Sequence, residues 1–369
     1  MVIFATIGAV FYSCLIGIAS GLWIYQRRNN RKLNYGSKVR TFTVIIPFRN
    51  EANHLPSLIR CLNAQTFLRD QWECIFVDDH STDDSLYAFN TSCNFKYRVI
   101  QSPGEGKKAA LAQAISYASY EHIIQTDADC TFSPSWLETL AGATDEPDHT
   151  IITGPVAILQ PETLLDHFQS MDMMALMGLT YTGIRTGWWY MGNGANMSYP
   201  RILHQRKAAD LKDQYFASGD DMFLIEYAIR SKQNHIQFTS EQDAIVYTLP
   251  CRDVKSFIHQ RLRWAGKNGA MSGIGIKLAL MISLGFNMIL VALFVMSVFN
   301  HDYIGITSIL WLQKWIIDFI YLSILAPFFK TRIPLQYLGC AATYPFYAFF
   351  ISVLSIFKRN YEWKGRVTR

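Results

Sequence analysis

The apolar residues of this chain are spread unevenly, and that distribution constrains the fold more than any short motif. Half of its 369 residues are hydrophobic and only 17% are charged, a low charge for a soluble protein. The excess concentrates at residues 2–25 and again beyond residue 273. Residues 3–24 are apolar, with Tyr12, Ser13 and Ser20 among their mild polar interruptions, a run long enough to span a bilayer. A secretory signal would carry its positive charge ahead of such a run. Here the charge follows, as Arg27, Arg28, Arg31, Lys32, Lys38 and Arg40. The positive-inside rule then places residues 26–40 in the cytoplasm and residue 1 outside.

Further apolar segments cover residues 273–298, 303–328 and 333–357. The second contains Lys314 and Asp318. An isolated charge there costs roughly 2.5–3.5 kcal/mol. An i,i+4 pair turned toward other helices softens that cost; the alternative is a segment lying in the interface. If all three cross, Lys330-Thr331-Arg332 lies inside, but the basic tail 358–369 lies outside, against the charge rule. Pro345 splits the last segment, which favours a re-entrant hairpin and a cytoplasmic tail. The net charge of +5 sits largely beside these segments. It points to a membrane surface, and no RNA- or DNA-binding signature is present. The seven cysteines are odd in number and show neither CxxC nor zinc-type spacing. Reduced, mostly buried thiols are expected.

The polar middle alternates strand and helix signals. Residues 41–47 (TFTVIIP) are a β-branched run closed by Pro47, with Asn50 or Asn53 available to cap the next helix. Residues 72–77 form a second strand ending on Asp78-Asp79, and residues 81–84 offer caps for another helix. Strands at 97–100 and 122–126 flank a helix at 107–120. Such alternation implies a doubly wound, mostly parallel sheet, whose ligands bind beyond the C-terminal strand ends. Asp78-Asp79 and Asp127-Ala128-Asp129 both fall at such ends.

Each acidic cluster supports a chemical and a structural reading. Asp127 and Asp129 suit a hard cation that completes its shell with phosphate oxygens; the alternative is a turn or cap before Ser133-Pro134. Asp78 and Asp79 can accept hydrogen bonds from a base or ribose. Ser81 and Thr82 already offer helix caps, which leaves these aspartates without an evident structural task. Gly106-Lys107 at a helix start suits an anion, although the stretch is not a P-loop, since Ser or Thr does not follow the lysine. Asp220-Asp221 precedes an apolar helix: either a like-charge pair tuned as a general base, or acids that decorate a helix N-terminus capped by Ser218. Gln260-Arg261-Leu262-Arg263-Trp264 offers guanidinium forks for phosphate and an indole for a sugar face or the interface, or is simply part of an amphipathic helix at 254–267. Residues 168–190 are too interrupted to span, and read as a core helix or an acceptor surface.

The succession TVIIPFRNE, VDDHSTDDS, GEGKKAAL, TDADC, SGDDMFL and QRLRW resembles the membrane-bound members of glycosyltransferase family 2 over roughly residues 41–265. The resemblance implies a GT-A fold, Rossmann-like and mostly parallel, with N- and C-terminal transmembrane helices. The expected parts are a transmembrane helix at 1–26, a basic linker at 27–40 and a catalytic domain at 41–252. An interfacial helix at 253–272, a transmembrane region at 273–357 and a basic tail at 358–369 follow. By resemblance, Pro47, Asn50, Glu51, Asp78, Asp79, Lys107 and Asp127 hold the nucleotide donor. Asp127 and Asp129 serve Mg²⁺ or Mn²⁺ and the diphosphate. Asp221 is the general base, and Gln260, Arg261, Arg263 and Trp264 hold the leaving diphosphate and line the acceptor channel. Family members usually carry Glu-Asp where this chain has Asp220-Asp221, which keeps Asp220 open as the base. Trp363-Lys364-Gly365-Arg366 resembles the tails of lipid- and carotenoid-directed members. The implied activity is inverting transfer of a sugar from a nucleotide donor, by family habit a UDP-sugar, to a membrane lipid at a bacterial inner membrane. A polysaccharide synthase and a non-catalytic membrane scaffold are the alternatives.

Overall fold

The computed structural model describes residues 2–29, 41–143, 150–207, 220–231, 235–268, 273–357, 361–363 and 366–368. The chain begins with α1 (Val2–Arg28), β1 (Phe42–Phe48), α2 (Leu55–Asn63), β2 (Trp72–Asp78), β3 (Lys96–Gln101), α3 (Lys107–Tyr117) and β4 (His122–Gln125). Next come β5 (Thr131–Phe132), α4 (Trp136–Gly142), β6 (Thr150–Thr153), β7 (Val156–Ile158), α5 (Leu164–Thr186), β8 (Met197–Pro200) and α6 (Arg201–Lys207). Then follow α7 (Asp220–Ser231), β9 (His235–Phe238), β10 (Val246–Thr248), α8 (Val254–Asn268), α9 (Ile274–Phe299), α10 (Ile304–Leu325) and α11 (Tyr337–Phe357). Two short strands, β11 (Tyr361–Trp363) and β12 (Arg366–Thr368), pair at the end. Most of the basic linker, Ser218 and much of the basic tail lie outside the described residues.

Two compact units result. The first comprises Arg31–Leu159, Tyr190–Leu249 and Glu362–Arg369. Its main sheet runs β3-β2-β1-β4-β8-β6-β9, and β5-β10-β7 form a second, smaller sheet. Strands β1 to β4 are mutually parallel, with Ile45 opposite Ile75 and Val44 opposite Ile124, and β8 is antiparallel to both its neighbours. Every residue of β1 and β2 is buried, as strands covered on both faces require. On one face α3 packs Ala110, Leu111, Ala114 and Ile115 against Ile45, Ile75 and Val77, and α7 adds Leu224, Ile225 and Ala228. Each large aliphatic side chain so buried contributes about 1.5–3 kcal/mol.

Two expected helix starts are corrected. Neither Asn50 nor Asn53 caps α2: its N-cap is His54, without a side-chain hydrogen bond, and proline occupies the first turn, where its missing N–H costs nothing. After β2 a 3₁₀ helix spans Asp84–Asn90, and its cap is Asp83, not Ser81 or Thr82.

The second unit comprises Met1–Asn30, Gln160–Trp189 and Pro250–Tyr361. The unbroken 41–252 domain expected from sequence is therefore interrupted, because α5 belongs with the apolar helices. Its Gly178 leaves no room for a side chain: a Cβ would lie 2.3 Å from the Tyr321 hydroxyl. A Thr163/Asp166 capping box starts α5, and left-handed Gly187 ends it. Four helices, Val2–Arg28, Ile274–Phe299, His301–Leu325 and Tyr337–Ile356, are long and apolar enough to cross a membrane. At 26 residues, α9 reaches about 39 Å, against a hydrocarbon core of about 30 Å.

Lys314 and Asp318 form the expected i,i+4 ion pair, and Lys314 is 1% exposed. The Tyr12 hydroxyl donates to Asp318 Oδ1 at 2.6 Å and Gln313 Nε2 donates to Ser13 Oγ at 2.9 Å, so α1 and α10 meet through polar contacts inside an apolar bundle. Pro345 does not split the last segment; α11 continues through it. In an apolar medium the loss of one N–H donor is cheaper than opening a hairpin's worth of unpaired backbone. None of the seven cysteines forms a disulfide; Cys74, Cys130 and Cys340 are buried and Cys14 is exposed, so fewer thiols are buried than expected.

Candidate active site

In the sheet-containing unit, β1 and β2 both end in left-handed turns. Asn50 (φ 53°) and His80 (φ 55°) adopt a conformation uncommon outside glycine, and the two turns brace each other. The Asn50 N–H donates to Ser81 Oγ at 3.0 Å, and the Thr82 N–H donates to Asn50 Oδ1 at 2.8 Å. Arg49 Nη1 donates to the carbonyls of Asp79 and His80, both at 2.7 Å. The Glu51 N–H donates to Ser85 Oγ at 2.7 Å, and the Glu51 carboxylate meets His54 Nδ1 at 2.5 Å.

The aspartates at the end of β2 do have a structural task, contrary to expectation. Asp78 Oδ1 accepts the Ser81 N–H at 2.9 Å. Asp79 accepts the Gly106 N–H with both oxygens, at 3.0 and 3.1 Å, which ties the Gly106-Lys107 turn to the strand end. Gly106, with φ 96°, occupies backbone space that a side chain would strain. Each carboxylate still has lone-pair directions for a further donor. Burial pushes the nearby Asp83 carboxyl up, but hydrogen bonds from Ser85 and the Ala52 N–H outweigh it and hold Asp83 below its ordinary value.

Three separate segments meet around Gly194. Lys107, the first residue of α3, forms an ion pair with Asp127 just beyond β4, and both side chains are partly exposed. The Gly194 N–H donates to Asp221 Oδ2 at 3.0 Å, and the Met222 N–H donates to Asp221 Oδ1 at 2.9 Å. A Cβ on Gly194 would stand 2.8 Å from Gln125 Nε2, 3.4 Å from Lys107 Nζ and 3.6 Å from Asp221 Oδ2. An amine, a carboxylate and an amide therefore surround one backbone position. Glycine is required at position 194 because side chains from β4, α3 and α7 close on it. Gln125, absent from the sequence expectation, is 3% exposed, and its Nε2 is buried without a hydrogen-bond partner among the described residues. Asp221 lies in the first turn of α7; the side chain of Asp220 lies outside the described residues.

Asp129 accepts the Thr248 hydroxyl at 3.0 Å. Burial, then the Asp129 and Asp127 carboxylates, push the thiol of the following residue, Cys130, well up, which leaves it a neutral packing group. Among the described residues, no three His, Cys, Asp or Glu side chains gather into a metal cage. Two carboxylates at a strand end suit Mg²⁺ or Mn²⁺, which fill the remainder of their shell with phosphate oxygens and water.

The Gln260–Trp264 motif belongs to α8 in the helical unit. Arg261 is 5% exposed, and its Nη1 lies 2.9 Å from Asp172 Oδ2 on α5. Its guanidinium lies 4.3 Å from the Trp264 ring centre and 4.9 Å from that of Phe257. Gln260, Arg263 and Trp264 are half-buried.

Residues 43–207 match the family described as Glycosyl transferase family 2. This matched segment, a little under half of the chain, is similar to a family 2 glycosyltransferase domain. Its fold is GT-A: a mannosyltransferase from Pyrobaculum calidifontis, in complex with GDP-Man and Mn²⁺, superposes with a TM-score of 0.53 at 16% identity, over 93% of this chain and 99% of that one. The undecaprenyl-phosphate 4-deoxy-4-formamido-L-arabinose transferase of Salmonella choleraesuis is 30% identical over 113 residues, which are 29% of this chain. The chain spans about a third (35%) of the length of that curated relative. Asp221 and the Gln260–Trp264 motif lie beyond the residues matched to the glycosyltransferase family.

Proposed function

We propose that this chain is an inverting glycosyltransferase, which moves a sugar from a nucleotide-diphosphate donor to a lipid acceptor in the membrane. The meeting of Lys107, Asp127 and Asp221 around Gly194 carries the reading, because it sets a phosphate-binding cation beside a carboxylate suited to proton removal. The braced turns with Pro47, Asn50, Glu51, Asp78 and Asp79 hold the nucleoside, and Lys107 and Asp127 meet the diphosphate. Asp127 and Asp129 would hold Mg²⁺ or Mn²⁺, whose charge offsets that of a departing diphosphate.

Asp221 takes the proton of the acceptor hydroxyl as its oxygen attacks the sugar's anomeric carbon. The bond from that carbon to the diphosphate oxygen breaks on the opposite face, which inverts the centre. Gln260, Arg263 and Trp264 contact the leaving group and the acceptor. The four long apolar helices and the basic linker support an integral membrane protein with a cytoplasmic catalytic unit, in a bacterial inner membrane.

Membranes containing the protein, supplied with labelled UDP- and GDP-sugars and Mn²⁺ or Mg²⁺, should yield label in the organic extract. Chelation should abolish it, and Asp221→Asn should lower turnover about 10²- to 10⁴-fold. Turnover that persists in Asp221→Asn would point to a lipid phosphate acceptor, already ionised and in no need of a base. Label in insoluble polymer would favour a polysaccharide synthase. Failure to bind any nucleotide would favour a scaffold.

A further inference from the structure

We propose that Asp172 is the positioning residue of the α8 motif, and that Arg261 is its anchor and not a ligand of the diphosphate. Both oxygens of Asp172 are engaged: Oδ2 with Arg261 Nη1 at 2.9 Å and Oδ1 with the Tyr344 hydroxyl at 3.1 Å. Arg261 is covered by Phe257 and Trp264, and both members of the ion pair are nearly buried. A guanidinium so enclosed is shielded from a phosphate arriving from solvent, although its buried Nε has no hydrogen-bond partner among the described residues. Its charge is already compensated, and a second anion would have to displace Asp172 from the interior.

The pair joins three helices, α5 through Asp172, α8 through Arg261 and α11 through Tyr344. It therefore fixes the rotation of α8 and, through the stacked ring, the orientation of Trp264. Arg263 lies two residues further on, about 200° around the helix, and is half-buried. On this reading the diphosphate contact of the motif falls to Arg263. This division of labour rests on the glycosyltransferase reading for what the motif does, whereas the anchor itself does not.

The test uses the full chain in lipid nanodiscs. UDP and GDP are titrated by calorimetry, and thermal unfolding is followed in parallel. Asp172→Leu and Arg261→Met should each lower the unfolding midpoint, since either strands a buried charge, and the two together should recover most of the loss. The double variant should bind nucleoside diphosphate within about threefold of the unaltered protein, whereas Arg263→Met weakens binding about tenfold or more. A double variant that is as stable as the unaltered protein but binds about tenfold more weakly would overturn the proposal, because Arg261 would then touch the diphosphate. Additive losses in the midpoint would overturn the anchor. If the unaltered protein binds neither nucleotide, the glycosyltransferase reading fails, and the unfolding comparison still decides the anchor.

Discussion

At the residue scale, Gly194 shows how a position without a side chain can organise several that have one. Its N–H holds the Asp221 carboxylate, while the space its Cβ would fill borders Gln125 and Lys107. Gly194→Ala should cut turnover about 10- to 100-fold, since ångström-scale displacement of reacting groups costs that much. The unfolding midpoint should move by only a few degrees. Unchanged turnover would remove Gly194 from the site. Lys107, Asp127 and Asp221 could be singled out as candidates from the sequence, because each stands in a short local pattern at an element boundary. Gln125 and Gly194 were not, because their meaning depends on neighbours brought in from distant segments. Arg261 was legible as a charge but not as a buried one, since Asp172 lies on another helix far back in the chain.

At the element scale, β1, β2, β3 and α3 are tied at the end of the sheet opposite the candidate site by Glu73, which is 1% exposed. Its carboxylate accepts the Ser119 N–H at 2.6 Å, the Ser119 hydroxyl at 2.9 Å and the Thr43 hydroxyl at 3.1 Å, and pairs with Lys96 at 3.1 Å. Burial alone would raise its pKa, but these hydrogen bonds outweigh burial and hold it below the ordinary value of 4.5. Ionised Glu73 thus contributes stability above its unfolded-state pKa, and that contribution is lost as the pH falls through the lower, folded-state value. Glu73→Gln should cost about 1–3 kcal/mol at pH 7. Thermal unfolding of the two proteins from pH 7 to pH 3 should show the gap narrowing as the solution is acidified, and a constant gap would contradict the assignment. Strands β1, β2 and β4 were readable to within a residue or two, because an apolar run buried on both faces has little other use. The helix starts at α2 and after β2 were misread, because Asn50 and Ser81 bond across to each other's turns and not along their own chain.

At the scale of the whole molecule, the proposed cytoplasmic side of the catalytic unit rests on the basic linker that follows the first long apolar helix. Ser37→Cys, in a background where the exposed Cys14 is replaced by serine, should resist a membrane-impermeant thiol reagent in intact spheroplasts. It should react once the membrane is opened. Labelling of intact spheroplasts would reverse the orientation.

The sequence by itself determined where apolar helices and sheet would form, since burial periodicity and segment length are local properties. It also marked the carboxylates at strand ends, because parallel strands deliver their C-terminal ends to one edge. Only the tertiary structure decided that α5 joins the apolar helices, that Pro345 leaves α11 whole, and that Arg261 is spent on Asp172. Those outcomes depend on which surfaces find each other across long stretches of chain. Close packing and the cost of an unpaired buried charge select among partners that no local pattern names.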